Sequence, residues 1–285
     1  MALLELFKIR MTLHILITTL IGFYIGSGPD PDWAGLGWTL LGTGLMAISA
    51  FCFNQAMEKD FDSVMIRTQK RPLPRERIGL HTAYVAGAIT GLAGSFLLWK
   101  LVNPLTAMIG IATVGLYAGV YTPMKRLTTL NTLVGAVPGA LPPLMGWTAA
   151  QGRIGVGGVL LFALLFFWQM PHFLALAWMY RDDYRRGGFK MLSLVDGSGA
   201  TCFRQIRIQT VFLLIVSFIP YGYGLAGETY LITAALAGLL MLWMAYKLGR
   251  SGTREAAVKL FLLSLVYLPV VLIAMAVDKR LLFVG

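Results

Sequence analysis

The chain has 285 residues, of which 57% are hydrophobic and only 13% charged, and its mean hydropathy is +0.72. A soluble globular domain carries about 25% charged residues, so that class is excluded and an all-α, polytopic membrane protein is expected. The formal net charge of +11 would suit nucleic acid, but the distribution of the basic residues points to membrane topology instead.

Residues 1–10 read as a short amphipathic helix lying on the inner membrane surface. Apolar stretches then predict a bundle of about nine spans, at 11–28, 34–57, 82–99, 104–121, 131–149, 155–179, 207–226, 229–246 and 256–276. The first has no clear small-residue cleavage site, so it reads as a retained span rather than a signal peptide. With the N-terminus in the cytoplasm, every Lys and Arg except Lys100, Arg153, Lys279 and Arg280 falls on the inner side. This is the positive-inside pattern, and it favours anionic lipid over nucleic acid as a partner. Cys52, in a helix, and Cys202, in an inner loop, suggest neither a disulfide framework nor a metal spacing; both read as packing residues. No linker or composition break divides the chain, so residues 1–285 form one expected domain.

The chemistry concentrates where the second predicted span ends. Three acidic residues, Glu58, Asp60 and Asp62, fall within five positions there. Asn54, Glu58 and Asp62 stand at i, i+4 and i+8, so on a helix they drift only about 80° around the axis and share a face. Such a face offers hard oxygen ligands suited to Mg²⁺, which commonly accompanies phosphate. Arg67, Lys70, Arg71, Arg75 and Arg77 follow, and cations of this kind suit phosphate oxygens. The bland alternative is an ordinary charged cytoplasmic loop, and the one-face spacing argues against it.

A second inner loop, at 180–206, shows a weak symmetry with the first. It begins with Asp182 and Asp183 and continues into Arg185, Arg186, Gly187, Gly188 and Lys190. Two acidic clusters facing each other across a bundle can hold a metal–diphosphate that neither holds alone, which makes Asp183 a further candidate metal ligand. Between the loops, Lys125 and Arg126 end the fourth span, with Tyr121 one turn above Lys125. A phosphate clamp and a snorkelling topology pair both fit this segment. In Trp168-Gln-Met-Pro171-His172-Phe173, Pro171 bends the helix and Trp168 shares a face with His172. That histidine could ligate haem iron, relay a proton or bond a neighbouring helix.

Together these segments resemble the membrane-embedded aromatic prenyltransferase superfamily, in the branch whose acceptor is haem. The matching residues are Asn54, Glu58, Asp60 and Asp62, with Arg67-Thr68 and Arg71-Pro-Leu-Pro74. Tyr121-Thr122, Lys125-Arg126 and Asn131-Thr132 come next, then Pro142-Pro143-x-Met145-Gly146-Trp147 and Pro171-His172-Phe173. The match ends with Tyr180, Asp183, Gly187-Gly188 and Met191-Leu192; the last three predicted spans add only hydrophobic pattern. Ring-prenylating members carry a second Asp-rich motif one or two turns before residue 180, where this chain has Trp-Gln-Met-Pro-His-Phe.

The resemblance implies a Mg²⁺-dependent transfer of the farnesyl group of farnesyl diphosphate to a vinyl group of haem B. Water addition would then give haem O for terminal oxidases. In that reading Asn54, Glu58 and Asp62, with Asp183, hold the metal, while Arg67, Lys70, Arg71 and Lys125 clamp phosphate. Asp60, Tyr121, Arg126, Trp168, Asp182 and Lys190 contact substrate, and His172 ligates or orients the haem. It further implies a prokaryotic cell membrane with the site on the cytoplasmic side, and haem A synthase or oxidase-assembly proteins as partners. The rivals are a prenyltransferase for a phenolic or quinone precursor and, more remotely, a small-solute transporter. A transporter should bring broken helices together at the midplane, whereas the charges here gather at one membrane face.

Overall fold

A computed structural model describes residues 2–280. After the short α1 (Ala2–Leu6) come α2 (Ile9–Gly26), α3 (Trp33–Met57), the short α4 (Lys59–Val64) and α5 (Leu80–Leu101). Next are α6 (Pro104–Val114), continued by a π-helical turn at Gly115–Tyr121 into α7 (Thr122–Leu127), then α8 (Asn131–Gln151) and α9 (Gly155–Met179). The chain ends with α10 (Arg181–Arg186), α11 (Ala200–Gly222), α12 (Glu228–Ser251) and α13 (Arg254–Val277). The protein is an all-helical, polytopic integral membrane protein. Eight helices among the described residues are long and apolar enough to cross a bilayer. The fifth expected span, α8, is not one of them, because Pro138, Pro142, Pro143 and its glycines dilute its hydropathy.

Local sequence sets the helix ends. Asp32 caps α3 by accepting from the Gly35 amide at 2.9 Å, and Asn103 caps α6 through the Thr106 amide at 2.8 Å. Gly152 ends α8 with φ 66°, a left-handed conformation that glycine adopts without strain. α11 begins at Ala200, seven residues before the predicted span, so Cys202 lies buried in a helical turn and not in a loop. The polar run Arg204, Gln205, Arg207 and Gln209 hides that inner turn from a hydropathy reading.

α2 and α8 approach each other closely. A Cβ on Gly22 would sit 2.1 Å from the Pro143 carbonyl oxygen, and one on Gly146 2.0 Å from that of Thr19. Small residues permit such backbone contact where no hydrophobic effect drives helices together. The largest core cluster joins α9, α11, α12 and α13, with Ile21 and Ile25 of α2 closing onto it. At the chain's end, Lys279 Nζ donates to the carbonyls of Tyr24 and Ser27 at 2.7 and 2.6 Å, which ties the last helix to the first span. α5 presents Ile89, Leu92, Phe96 and Trp99 outward, as a lipid-facing helix should.

The N-terminal segment is held by specific contacts that its sequence does not announce. Leu6 is fully buried against Cys52, Ala56, Leu73, Ile78 and Ala83, and Gln55 Nε2 donates to the Leu6 carbonyl at 2.6 Å. Glu5 pairs with Arg77. Residues 2–8 therefore dock onto α3 and the 58–79 loop through one face, while Leu3 and Leu4 on the other stay exposed.

Candidate active site at the inner helix ends

The acidic face forms as its spacing implies. Helical hydrogen bonds run through the junction between α3 and α4: the Glu58 amide donates to the Asn54 carbonyl at 3.1 Å, and the Asp62 amide to the Glu58 carbonyl at 2.8 Å. Asn54, Glu58 and Asp62 consequently stay on one side, and all three are buried, at 2%, 5% and 1% exposure. Asp60 points away and is exposed.

Each buried oxygen ligand faces a cation. Lys125 Nζ lies 2.8 Å from Glu58 Oε1, and Arg71 Nη1 lies 2.6 Å from Asp62 Oδ2. Lys8 Nζ donates to Asn54 Oδ1 at 3.2 Å, while Asn54 Nδ2 donates to Thr122 Oγ1 at 3.0 Å. Burial, the largest single influence, works against the charge on Glu58, but the Lys125 ammonium and its hydrogen bond, with Lys8 and Arg71, together outweigh it and hold the carboxyl below its ordinary range.

The second loop meets the first. Asp183 is buried and accepts from the Ile66 and Arg67 amides at 3.2 and 3.0 Å, with Arg186 at 3.2 Å. Its carboxylate thus fixes the start of the basic run. Arg67 then stands over the rings of Tyr180 and Tyr184, at 5.2 and 5.7 Å from their centroids. Arg126 lies 4.5 Å over Phe61, which itself packs against Phe189. The Lys190 backbone joins both elements, donating to the Lys125 carbonyl and accepting from Asn131 Nδ2, each at 2.7 Å. Asp182 forms an exposed pair with Arg185, and the residues Lys70 and Lys190 are exposed.

Two site residues escape the sequence reading, Lys8 and Tyr117, while Thr122, read only as part of the motif after Tyr121, proves to accept from Asn54 Nδ2. The π-helical turn at Gly115–Tyr121 is a distortion frequently found at functional sites. It sets Tyr117 and Tyr121 5.4 Å apart, with the Lys125 ammonium 4.6 Å over the Tyr121 ring. Gly135 leaves room for that ring, since a Cβ there would lie 2.5 Å from it. The spacing Gly115, Tyr117, Gly119, Tyr121 was a readable hint of an unusual helix.

Beyond the charges lies an apolar cavity. Its wall includes Ile15, Met46, Ala50, Phe51, Tyr117, Gly139 and Met145. Phe51 stands at the charged end, with the Lys8 ammonium 4.9 Å over its ring. Counting from Asn54 to Thr43 along α3, the cavity reaches ~16 Å from the acidic face.

His172 occupies a different setting. It is buried between Trp168, at 5.1 Å, and Phe261, at 4.6 Å. Ser264 Oγ donates to the Phe261 carbonyl at 2.6 Å, so the hydroxyl's one proton is used and its oxygen accepts from His172 Nδ1 at 2.7 Å. Nε2 then carries the free lone pair. Trp168 Nε1 donates to the Ser264 carbonyl at 2.7 Å. This group faces α13, and no residue enclosing it lines the apolar cavity.

A divalent cation fits the acidic face. Among the described residues, no three His, Cys, Asp or Glu side chains form a ready metal cluster. Asp62 Oδ1, however, is buried without a hydrogen-bond partner, and an orphaned carboxylate oxygen is an unmet ligand. With Glu58 and Asn54 it completes an all-oxygen donor set of the hard kind Mg²⁺ takes.

Known proteins bear on this arrangement. Residues 15–268 match the model of the UbiA prenyltransferase family. The chain is 42% identical to a protoheme IX farnesyltransferase of Opitutus terrae over 97% of its length and 94% of that protein's. It is 39% identical to one of Solibacter usitatus, covering 96% and 97%. Its fold resembles the solved digeranylgeranylglyceryl phosphate synthase with a TM-score of 0.81 at 19% identity, covering 97% of each chain. A UbiA homologue of Archaeoglobus fulgidus bound to GPP and Mg²⁺ is also similar, with a TM-score of 0.68 at 14% identity, covering 97% and 100%. By matched length, identity and fold, the chain belongs to the UbiA prenyltransferase family.

Proposed function

We propose that the protein transfers the farnesyl group of farnesyl diphosphate to a vinyl group of haem B, with addition of water, giving haem O. The observation that carries this reading is near-full-length identity of 42% and 39% to two protoheme IX farnesyltransferases. The buried face of Asn54, Glu58 and Asp62 with its attendant cations accords with it.

Asn54, Glu58 and Asp62 would hold Mg²⁺, as the GPP- and Mg²⁺-bound Archaeoglobus fulgidus homologue suggests for this fold. Bound there, Mg²⁺ would stabilise the negative charge that develops on the departing diphosphate. Arg71 and Lys125 exchange their carboxylate partners for phosphate oxygens, and Arg67 and Lys70 complete the clamp at the rim. Asp183 serves the metal site from the second loop by fixing the backbone at Ile66 and Arg67. As the allylic carbon–oxygen bond breaks, its electron pair leaves with the diphosphate. The vinyl π electrons form the new carbon–carbon bond to the allylic carbon; water then captures the resulting cation and loses a proton. Apolar walls from Phe51 to Met46 shield the farnesyl chain. His172, with its Nε2 lone pair, binds or orients the haem.

The same reading makes the chain one domain of nine spans, with α8 as the ninth. It places the N-terminus and both polar loops on the cytoplasmic side of a prokaryotic cell membrane, and it leaves oxidase-assembly proteins as the expected neighbours. The decisive experiment incubates membranes containing the protein with farnesyl diphosphate, Mg²⁺ and haem B, then weighs the extracted haem by mass spectrometry. Haem carrying one farnesyl and one added water supports the function. Prenylation of an added phenolic acid with haem unchanged overturns it and leaves the ring-prenylating reading.

A further inference from the structure

We propose that Lys8 is a binding residue for the donor's diphosphate, delivered into the site by the docked N-terminal segment. This rests on the function proposed above and adds a ligand from outside the two polar loops.

Three observations converge on Lys8. Its backbone is left-handed, with φ 45° and ψ 50°, at the break between α1 and α2. Side chains other than Gly and Asn are strained there, so the break alone gives no reason for a lysine. Strained backbone held in place by its surroundings clusters at ligand sites. The surroundings here do hold it: Leu6 is locked in a core, Gln55 bonds its carbonyl, and Glu5 grips Arg77.

The second observation is where the side chain ends. The residue as a whole is half-buried, but its ammonium is enclosed, over the Phe51 ring and against Asn54 Oδ1. A snorkelling lysine would turn its charge to water; this one turns inward. Among the described residues its hydrogen-bond acceptor is the neutral amide oxygen of Asn54, and no carboxylate forms an ion pair with it.

The third observation is charge. Lys8, Arg71 and Lys125 stand near one another with Glu58 and Asp62, three cations against two carboxylates. Both carboxylates are already paired, with Lys125 and Arg71. Among the described residues, Lys8 is thus the one cation of the three that no carboxylate pairs. A polyanion seated beside Asn54 supplies what is missing, and the diphosphate is the polyanion this reaction brings.

The test uses two variants of the full-length protein in detergent, with calorimetric titration of inorganic diphosphate in the presence of Mg²⁺. Lys8→Gly removes the ammonium while suiting the left-handed backbone, so its thermal midpoint should hold or rise. Its affinity for diphosphate should nevertheless fall about tenfold or more. Lys8→Arg keeps the charge and should recover most of that loss. Haem binding, followed by the Soret band, should be unchanged in both. Lys8→Gly binding diphosphate as tightly as the parent overturns the proposal alone, as does equal weakening in Lys8→Gly and Lys8→Arg. A parent protein that takes no diphosphate overturns the proposed function, and this proposal with it.

Discussion

Two of the buried polar groups in this bundle are built on opposite principles. At the inner helix ends, Asn54, Glu58 and Asp62 are matched to Lys8, Lys125 and Arg71, cations brought in from three separate segments. Within α9, His172 is neutral in its partners: a hydroxyl from Ser264 and the rings of Trp168 and Phe261. Buried ion pairs gain little net stability over apolar packing, because desolvation offsets their attraction. A site assembled from them is suited to exchanging partners when a charged ligand arrives. An imidazole clamped between aromatic faces, with one nitrogen committed, is suited instead to presenting its other nitrogen in a fixed direction. On the proposed function, ionic work falls to the first region and orientation of a flat aromatic ligand to the second.

If that division holds, the largest effects should come from the ionic region. Glu58→Gln or Asp62→Asn should lower turnover by roughly a hundredfold or more, the scale of losing ~3 kcal/mol of transition-state stabilisation. Membrane insertion, assayed by fractionation, should not change, since neither residue belongs to an apolar span. Normal turnover in both variants, with a chelator still inhibiting, places the metal elsewhere.

The second region should respond on the acceptor side only. His172→Ala should alter the Soret band of added haem and weaken haem binding by roughly a hundredfold, the upper end of what losing a ligand's supporting partner costs. Diphosphate affinity should stay at the parental value. Retention of both the haem spectrum and the transfer rate would reduce His172 to a packing residue. A smaller change sharpens the contrast. Ser264→Ala removes the acceptor of His172 Nδ1–H and frees the ring to take either tautomer, so haem affinity should drop about tenfold, with Glu58-dependent diphosphate binding untouched. A Ser264→Ala protein that instead loses diphosphate binding would show that the two regions are one.

The two regions also differ in how far sequence discloses them. The Asn54, Glu58, Asp62 face is visible because the helical hydrogen-bond register survives the break at Glu58, so a period counted in sequence is a direction in space. Its partners are less visible. Arg71 stands close enough in sequence to be grouped with Asp62, but Lys8 is 46 residues from Asn54 and sits in a segment that reads as a surface helix. Only the packing of Leu6 reveals that it docks. The role of Asp183 in holding the Ile66 and Arg67 amides has no sequence signal, because backbone donors look alike in every loop. His172 stands out by residue type, yet Ser264 lies 92 residues away in the apolar stretch of α13. The inner start of α11 at Ala200 was hidden by arginines that a hydropathy window scores as loop.

On the proposed function, the carboxylates and cations of the inner site hold each other when empty and part together around a metal–diphosphate. Titration calorimetry of the parent protein measures this directly, with Mg²⁺ and inorganic diphosphate added singly and then each in the presence of the other. The account predicts weak binding of either alone, because Lys125 and Arg71 occupy Glu58 and Asp62. Each should then tighten the other by about tenfold or more, and by the same factor in both directions. Mg²⁺ that binds as tightly without diphosphate as with it would contradict the account.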